Sequence, residues 1–277
     1  MAMDTRWKLY QGALLWSGNP ATETPTPEEA KEAVHESGAM FARWTSDWDC
    51  GTPTEWWWCI KDTPFDIQKI SSNYRYKINK GIKHFDVQII QSADYAEELY
   101  QVMVASFMAY PKLYRPHLDH DSTIKDILTW SNHFLVFAAF ERESHTLCGY
   151  SRITEKEHCA ELRTQKTIPA YEKLQLNAAL VYAFIAHYND RLSSKYYLVD
   201  GERNIKHQTH FFEYLIKYFE FRNAYCHLHI EYSPKMRIAV NLLYPLRGGV
   251  RLLGKFNSFA YNVYCVLKME QIHRSFK

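Results

Sequence analysis

The 277 residues contain no C-x-x-C pair, no G-x-S-x-G elbow, no phosphate-binding G-x-x-x-x-G-K-[ST] loop and no dinucleotide-binding glycine run. Those absences remove sequence support for a zinc ribbon, serine hydrolysis, P-loop nucleotide hydrolysis and nicotinamide binding. Charge of one sign is missing too. The 33 Lys and Arg against 31 Asp and Glu leave a net +2, so no global field pulls the chain towards nucleic acid or membrane. The longest apolar run, residues 178–188, is too short to span a bilayer. The first 19 residues lack the charged-then-apolar pattern of an export leader. The expectation is a soluble, cytoplasmic protein. Its six cysteines (Cys50, Cys59, Cys148, Cys159, Cys226, Cys265) are scattered, several within apolar strand-like runs, and read as reduced, mostly buried thiols. His117-Leu-Asp-His-Asp121 has ligand residue types at a spacing that fits no defined metal site, so no metal is expected. Neither an internal repeat nor a low-complexity tract is present.

What the chain does have is apolar mass. Hydrophobic residues make up 47% and aromatics 16%, with 20 Tyr and 8 Trp. That is enough to bury a substantial core, to which large rings contribute most of the area. Residues 1–62 are Trp-rich and irregular. Thr26-Pro-Glu-Glu has the composition of a helix start, predicting a helix over 30–36, and residues 41–44 and 56–60 read as strands. A basic stretch follows, residues 71–83, with Arg75, Lys77, Lys80 and Lys83. Ser71 or Ser72 is placed to start a helix there and Gly81 to end it. This run is either a solvated helix face or a patch for an anionic substrate or carrier.

From residue 85 the periodicity is regular. Residues 85–91 alternate as a strand. Tyr95, Leu99, Val102, Met103, Phe107 and Tyr110 recur at helical spacing, with Pro111 and Pro116 ending that helix, and a short helix is expected over 121–131. Residues 134–140 form an apolar run suited to a strand buried on both faces. Two further strands, 147–154 and 159–167, make a hairpin. In the second of them Ala160, Leu162 and Thr164 are expected on one face, and Glu161, Arg163 and Gln165 on the other. A helix over 177–192, a strand over 196–200, a helix over 207–219 and an alternating strand over 225–232 complete the pattern. The order predicts an α/β (α+β) fold with a mixed, mostly antiparallel sheet flanked by helices.

This order resembles the GNAT superfamily of acyltransferases. Gly149 follows a polar turn, as in that family's third strand. Ile168-Pro-Ala-Tyr171 resembles its V-P-x-Y/W signature at the end of the fourth strand. Ala179-Leu180 falls where the following helix packs, Asn204 lies after the fifth strand, and residues 214–221 resemble the closing helix. Arg75, Ile78, Lys80 and Lys83 match an R-x-x-I-x-K-x-x-K run of the FemAB-like and cellulose-biosynthesis-acetyltransferase-like branch, which carries an extra N-terminal half. The resemblance implies a small N-terminal extension over 1–84, possibly a reduced GNAT-like half, and a GNAT-like acyltransferase domain over 85–277. It implies an enzyme moving an acyl or aminoacyl group to an amine by direct attack, with acyl-CoA as donor. The acceptor would be a small-molecule or cell-envelope-precursor amine.

Two alternatives follow. One is a FemAB-like transferase using a tRNA-borne aminoacyl group or another acyl carrier; the other is a GNAT-shaped binding protein without catalysis. Family members that bind coenzyme A show Q/R-x-x-G-x-G/A after the proline, because glycines let the backbone approach a pyrophosphate at a helix N-terminus. Here Gln175 and Asn177 occupy the glycine places, Glu172 adds a negative charge and Lys173 offsets it.

Acyl transfer to an amine needs a base and donors for the developing oxyanion. The donor-binding set expected from the resemblance is Thr167, Ile168, Ala170, Lys173, Gln175, Asn177 and Asn204, with backbone N–H groups of Thr167, Ile168 and Ala170 facing the oxyanion. Glu161, on the polar side of its strand, is the first base candidate; its other reading is an ion pair with Arg163. Asp200-Gly-Glu202 closes the fifth strand, where an acid faces the cleft, and Glu202 is taken as a candidate there. His227, on the polar side of the last strand, is a further base candidate. Tyr214 is a candidate acid for the leaving group.

Overall fold

The computed structural model describes residues 4–110, 115–193, 195–206 and 210–276. The chain divides into two compact units. The first is Met1–Cys59, Glu202–His210 and Asn223–Lys277; the second is Ile60–Gly201 and Phe211–Arg222. The first unit is thus drawn from both ends of the chain, a partition different from a cut after residue 84.

In the first unit, β1 (Trp7–Tyr10) and β2 (Ala13–Trp16) form an antiparallel hairpin. A helix, α1 (Pro27–Ser37), crosses over to β3 (Phe41–Ser46), which runs parallel to β2. The expected helix start is real. Thr26 Oγ1 accepts from the Glu29 N–H (3.2 Å) and Glu29 Oε2 accepts from the Thr26 N–H (2.7 Å), a reciprocal cap that contributes about 1 kcal/mol. The hairpin was not apparent from sequence because its two four-residue strands are too short to show a period.

The strand expected over 225–232 is two strands. β10 (Arg222–Tyr225) ends before Cys226, and β11 (His227–Tyr232) pairs antiparallel with β3, from His227↔Ser46 to Tyr232↔Phe41. The sheet order is β1-β2-β3-β11. One apolar cluster joins Trp7, Leu14, Ala30, Val34, Ala42 and Trp44. Another joins Leu228, Ile230 and Tyr232 to α7 (Pro234–Leu243) and α9 (Ser258–Arg274) through Val240, Leu267 and Ile272. A short helix, α8 (Arg247–Leu253), lies between those two in sequence.

The chain crosses between the units within β4 (Trp57–Lys61). The second unit then opens with α2 (Ser72–His84), which contains Gly81 instead of ending at it. A Cβ at that position would meet the Gln175 carbonyl oxygen at 2.6 Å and the Ala179 nitrogen at 3.0 Å. Gly81 therefore serves close helix packing, not helix termination.

β5 (Phe85–Ile90) follows directly, then α3 (Ala96–Met108), α4 (His120–Ile127) and β6 (Leu135–Glu141). Pro111, expected to end α3, lies outside the described residues. Next come β7 (Leu147–Glu155), β8 (Cys159–Thr167), α5 (Leu176–Tyr188), β9 (Tyr197–Glu202) and α6 (Phe211–Phe219). The expected start of α6, at residue 207, also lies outside the described residues.

These strands stand in the order β9-β8-β7-β6-β5, antiparallel except for the parallel pair β8–β9. Side chains on one face of the sheet pack on α3 and α4 through Leu99, Val102, Ile127, Val136, Ala138 and Tyr150. The opposite face meets α5. A Cβ on Gly149 would come within 3.2 Å of Leu180 and 3.0 Å of the Lys166 carbonyl.

Candidate active site

Pairing between β8 and β9 covers only Cys159↔Tyr197, Ala160↔Leu198 and Glu161↔Val199. β8 runs on to Thr167 and β9 to Glu202. The two strands therefore part after Glu161 and Val199. Among the described residues, the backbone of β8 from Leu162 onward then has one edge without a strand partner. Backbone N–H groups along such an edge are strong donors that need an acceptor.

β8 is also bulged. Ile153 pairs with Leu162 and Arg152 with Thr164, leaving Arg163 as an extra residue. A bulge shifts the alternation by one, which overturns the expected faces. Beyond it Gln165 lies on the side of Ser151, and Thr164 on the side of Arg152. The hydrogen bonds agree. The Ser151 hydroxyl donates to Gln165 Oε1 at 2.9 Å, and Arg152 Nη2 donates to Thr164 Oγ1 at 3.2 Å. Gln165 Nε2 in turn donates to Asn177 Oδ1 at 2.8 Å, which ties β7 and β8 to the first turn of α5. Sequence alternation could not show this, because a bulge has no composition of its own.

Two acids flank the fork. Glu161, only 13% exposed, pairs with Arg163 and with Lys156 (3.5 Å). Asp200 is one residue beyond Val199, the partner of Glu161. Among the described residues no cation pairs with Asp200. Burial raises its carboxyl well above the ordinary 3.8, and the neighbouring Glu161 charge raises it further. Desolvation and a like charge both disfavour a carboxylate, and a carboxyl shifted upward by both at a strand fork is the pattern of an acid–base site. Gly201 follows at φ 101°, a backbone setting that suits glycine.

The remaining expected residues fall in several places. Thr167 is buried and pairs with Gly149. The Ile168 N–H donates to the Cys148 carbonyl at 2.9 Å, so it is not available to an oxyanion. Ala170 and Lys173 are exposed on a 3₁₀ turn, Pro169–Leu174. Tyr171 on that turn packs edge-on against Phe85, and a hydrogen bond with Cys148 raises its phenol to about 12.

Gln175 takes the left-handed conformation (φ 66°) just before α5, with its carbonyl against Gly81 of α2. Tyr214 is packed among Phe211, Tyr218 and Phe219, and burial raises its phenol. Its neighbour Tyr218 accepts a hydrogen bond from Lys77 Nζ (3.0 Å), which lowers its phenol.

Glu202, Asn204 and His227 belong to the first unit. Both carboxyl oxygens of Glu202 are engaged, one by Arg43 and the other by Trp56 Nε1 at 2.9 Å. Asn204 Oδ1 accepts from the Lys206 N–H. His227 Nδ1 pairs with Asp47 at 2.9 Å, and its ring stacks on Phe276.

A coenzyme A pyrophosphate needs a glycine-lined turn with free N–H groups at the start of α5. The chain has no glycine from Glu172 to Asn177, the carbonyl face of Gln175 is packed on Gly81, and the Asn177 side chain is taken by Gln165. These residues do not fit that group.

No protein-family model and no curated protein sequence matches the chain. Solved structures do. The C-terminal domain of an assigned lysylphosphatidylglycerol synthetase from Agrobacterium fabrum aligns with TM-score 0.51 and 11% identity, over 84% of this chain and 82% of that one. FemX aligns with TM-score 0.46 and 8% identity, over 69% of this chain and 63% of that one. An assigned ribosomal-protein-serine acetyltransferase from Vibrio cholerae aligns with TM-score 0.32 and 24% identity, over 40% of this chain and 66% of that one. The chain thus spans just under two thirds of the latter two. No helix among the described residues is long and apolar enough to cross a membrane. The strand order, the antiparallel run β5 to β8 and the parting of β8 from β9 give the chain a GNAT-like fold.

Proposed function

We propose that the second unit transfers an acyl or aminoacyl group to an amine by direct attack at the β8–β9 fork. The observation that carries this reading is the partly buried, upward-shifted carboxyl of Asp200 where the two strands separate. An alkylammonium acceptor must first lose a proton. Asp200, made more basic by burial and by Glu161, takes it. The freed nitrogen attacks the acyl carbon, a C–N bond forms, and the carbonyl electrons move onto oxygen. Unpartnered N–H groups along the β8 edge beyond Glu161 donate to that oxyanion. Collapse breaks the bond to the donor's sulfur or oxygen, which leaves with a proton. Glu161 is the electrostatic neighbour of Asp200 and the second acid of the pair.

The misfit at the start of α5 argues against a donor gripped through a coenzyme A pyrophosphate. Gly81 packs on Gln175, so α2 lies beside that helix start, with Lys80 about 100° round the helix from the contact. That placement favours an acyl group borne on a polyanionic carrier such as tRNA. The deciding experiment offers the protein a panel of acyl-CoAs and of aminoacyl-tRNAs with pooled amines. It follows thiol release and amide formation, and repeats any binding measurement across salt concentrations. Amide formation from charged tRNA, weakening steeply with salt, supports the carrier reading. Thiol release from acyl-CoA overturns it in favour of the free thioester, and no transfer from either donor overturns the transferase reading.

A further inference from the structure

The stretch from residue 233 to 269 contains no Asp or Glu, while Lys235, Arg237, Arg247, Arg251, Lys255 and Lys268 fall within it. It folds into α7, a 3₁₀ turn at Tyr244–Leu246, α8 and the start of α9. Along α7 and into the turn that follows it, Met236, Val240 and Tyr244 recur every four residues and pack into the first unit's core. A second row, Ile238, Leu242 and Leu246, has the same stride but is offset by two residues, about 200° around the helix. That row is exposed, Leu242 to 70%. A helix that needs only one apolar stripe to reach its core here carries two on opposite sides.

Further along the chain Leu252, Leu253, Phe256 and Phe259 are exposed as well, the two rings to 90% and 75%. A run of bare Leu and Phe side chains this long marks a surface made for covering. Arg251 and Lys255 are exposed among them, and a Cβ on Gly248 or Gly249 would meet nothing within 4 Å. The two glycines are therefore not required by packing.

We propose that the α7–α8 segment and the turn before α9 dock this protein on an anionic lipid surface. Exposed leucines and phenylalanines enter the acyl boundary while the interleaved cations meet the headgroups, as in interfacial amphipathic segments. The charge decides the occupant. Arg237 and Lys268 are paired with Glu231 and Glu55, but Lys235, Arg247, Arg251 and Lys255 meet no acid within the stretch, so the complementary surface is negative. A second copy packed by a two-fold axis would set the same patch against itself and bring Arg251 and Lys255 of each copy near their like.

The test is co-sedimentation of the full chain with mixed phosphatidylcholine–phosphatidylglycerol vesicles and with pure phosphatidylcholine vesicles, at low and high salt. Binding is expected on the mixed vesicles, weakened by salt. The pair R251Q/K255Q should lower the partition coefficient at least about tenfold. The pair F256S/F259S should lower it comparably, because these rings supply the apolar anchoring. All four substitutions are on exposed positions, and an unchanged thermal midpoint verifies folding. Absence of vesicle binding by the unaltered protein overturns the proposal, as does equal binding to neutral vesicles that R251Q/K255Q leaves intact. A concentration-dependent dimer abolished by F256S/F259S, without vesicle binding, overturns it in favour of self-association.

Discussion

Asp200 and Glu202 stand two residues apart on one strand and carry the same functional group, yet the fold treats them oppositely. Glu202 is held by Arg43 and Trp56, each of its oxygens with its own donor. Asp200, partly buried, has no such cation among the described residues and has Glu161 beside it, so its proton is held well above the ordinary range. One carboxylate is part of the first unit's framework. The other is kept in a costly state that a framework role does not need. Burial with a partner and burial without one separate structural acids from reactive ones.

Three measurements sharpen or break that comparison. The largest effect is expected from Asp200→Asn, which removes the proposed base while keeping the side chain's shape. Transfer to an amine should fall by about 10²- to 10⁴-fold; a rate within a factor of a few of the parent would assign the base elsewhere. Next is Glu202→Gln. It leaves Arg43 partly buried beside a neutral amide, and should cost about 2 kcal/mol in denaturant unfolding. No loss of stability would mean that the Arg43 pair is solvent-screened and contributes nothing.

The smallest effect is again in Asp200→Asn, now in stability. Since the folded protein holds the Asp200 proton more tightly than the unfolded chain, stability falls as pH rises from 3.8 to the raised folded value, then levels off. The variant should lack that decline and be more stable at neutral pH by about 1 kcal/mol. The two substitutions thus shift stability in opposite directions at neutral pH, and a shared sign would erase the distinction between the two acids.

Much of the second unit was legible in advance because its elements are long and periodic. Leu99, Val102 and Met103 marked α3, the apolar run over 134–140 marked β6, and the turn before Gly149 marked the β6–β7 hairpin. The first unit was less so. Its opening hairpin is too short for a period, the strand expected over 225–232 is broken at Cys226, and α7 to α9 were not anticipated. At the candidate site, Glu161 was identifiable from strand alternation, and the acid-bearing end of β9 from the resemblance to the GNAT fold. The parting of β8 from β9 follows from the resemblance to the GNAT fold, but the position of the bulge at Arg163 does not, since it depends on pairing with a neighbouring strand.

By itself the sequence determined which segments are strands and helices through most of residues 85–219, and the order in which they follow. Periodicity and turn residues act locally, so they can be read locally. Only the tertiary structure decided which acid is paired and which is left basic, that Gly81 serves packing instead of termination, and that Gln165 turns to Ser151 instead of joining Glu161. Each of these depends on the groups that long-range pairing brings alongside, and burial, charge and hydrogen bonding act on those neighbours whatever their separation along the chain.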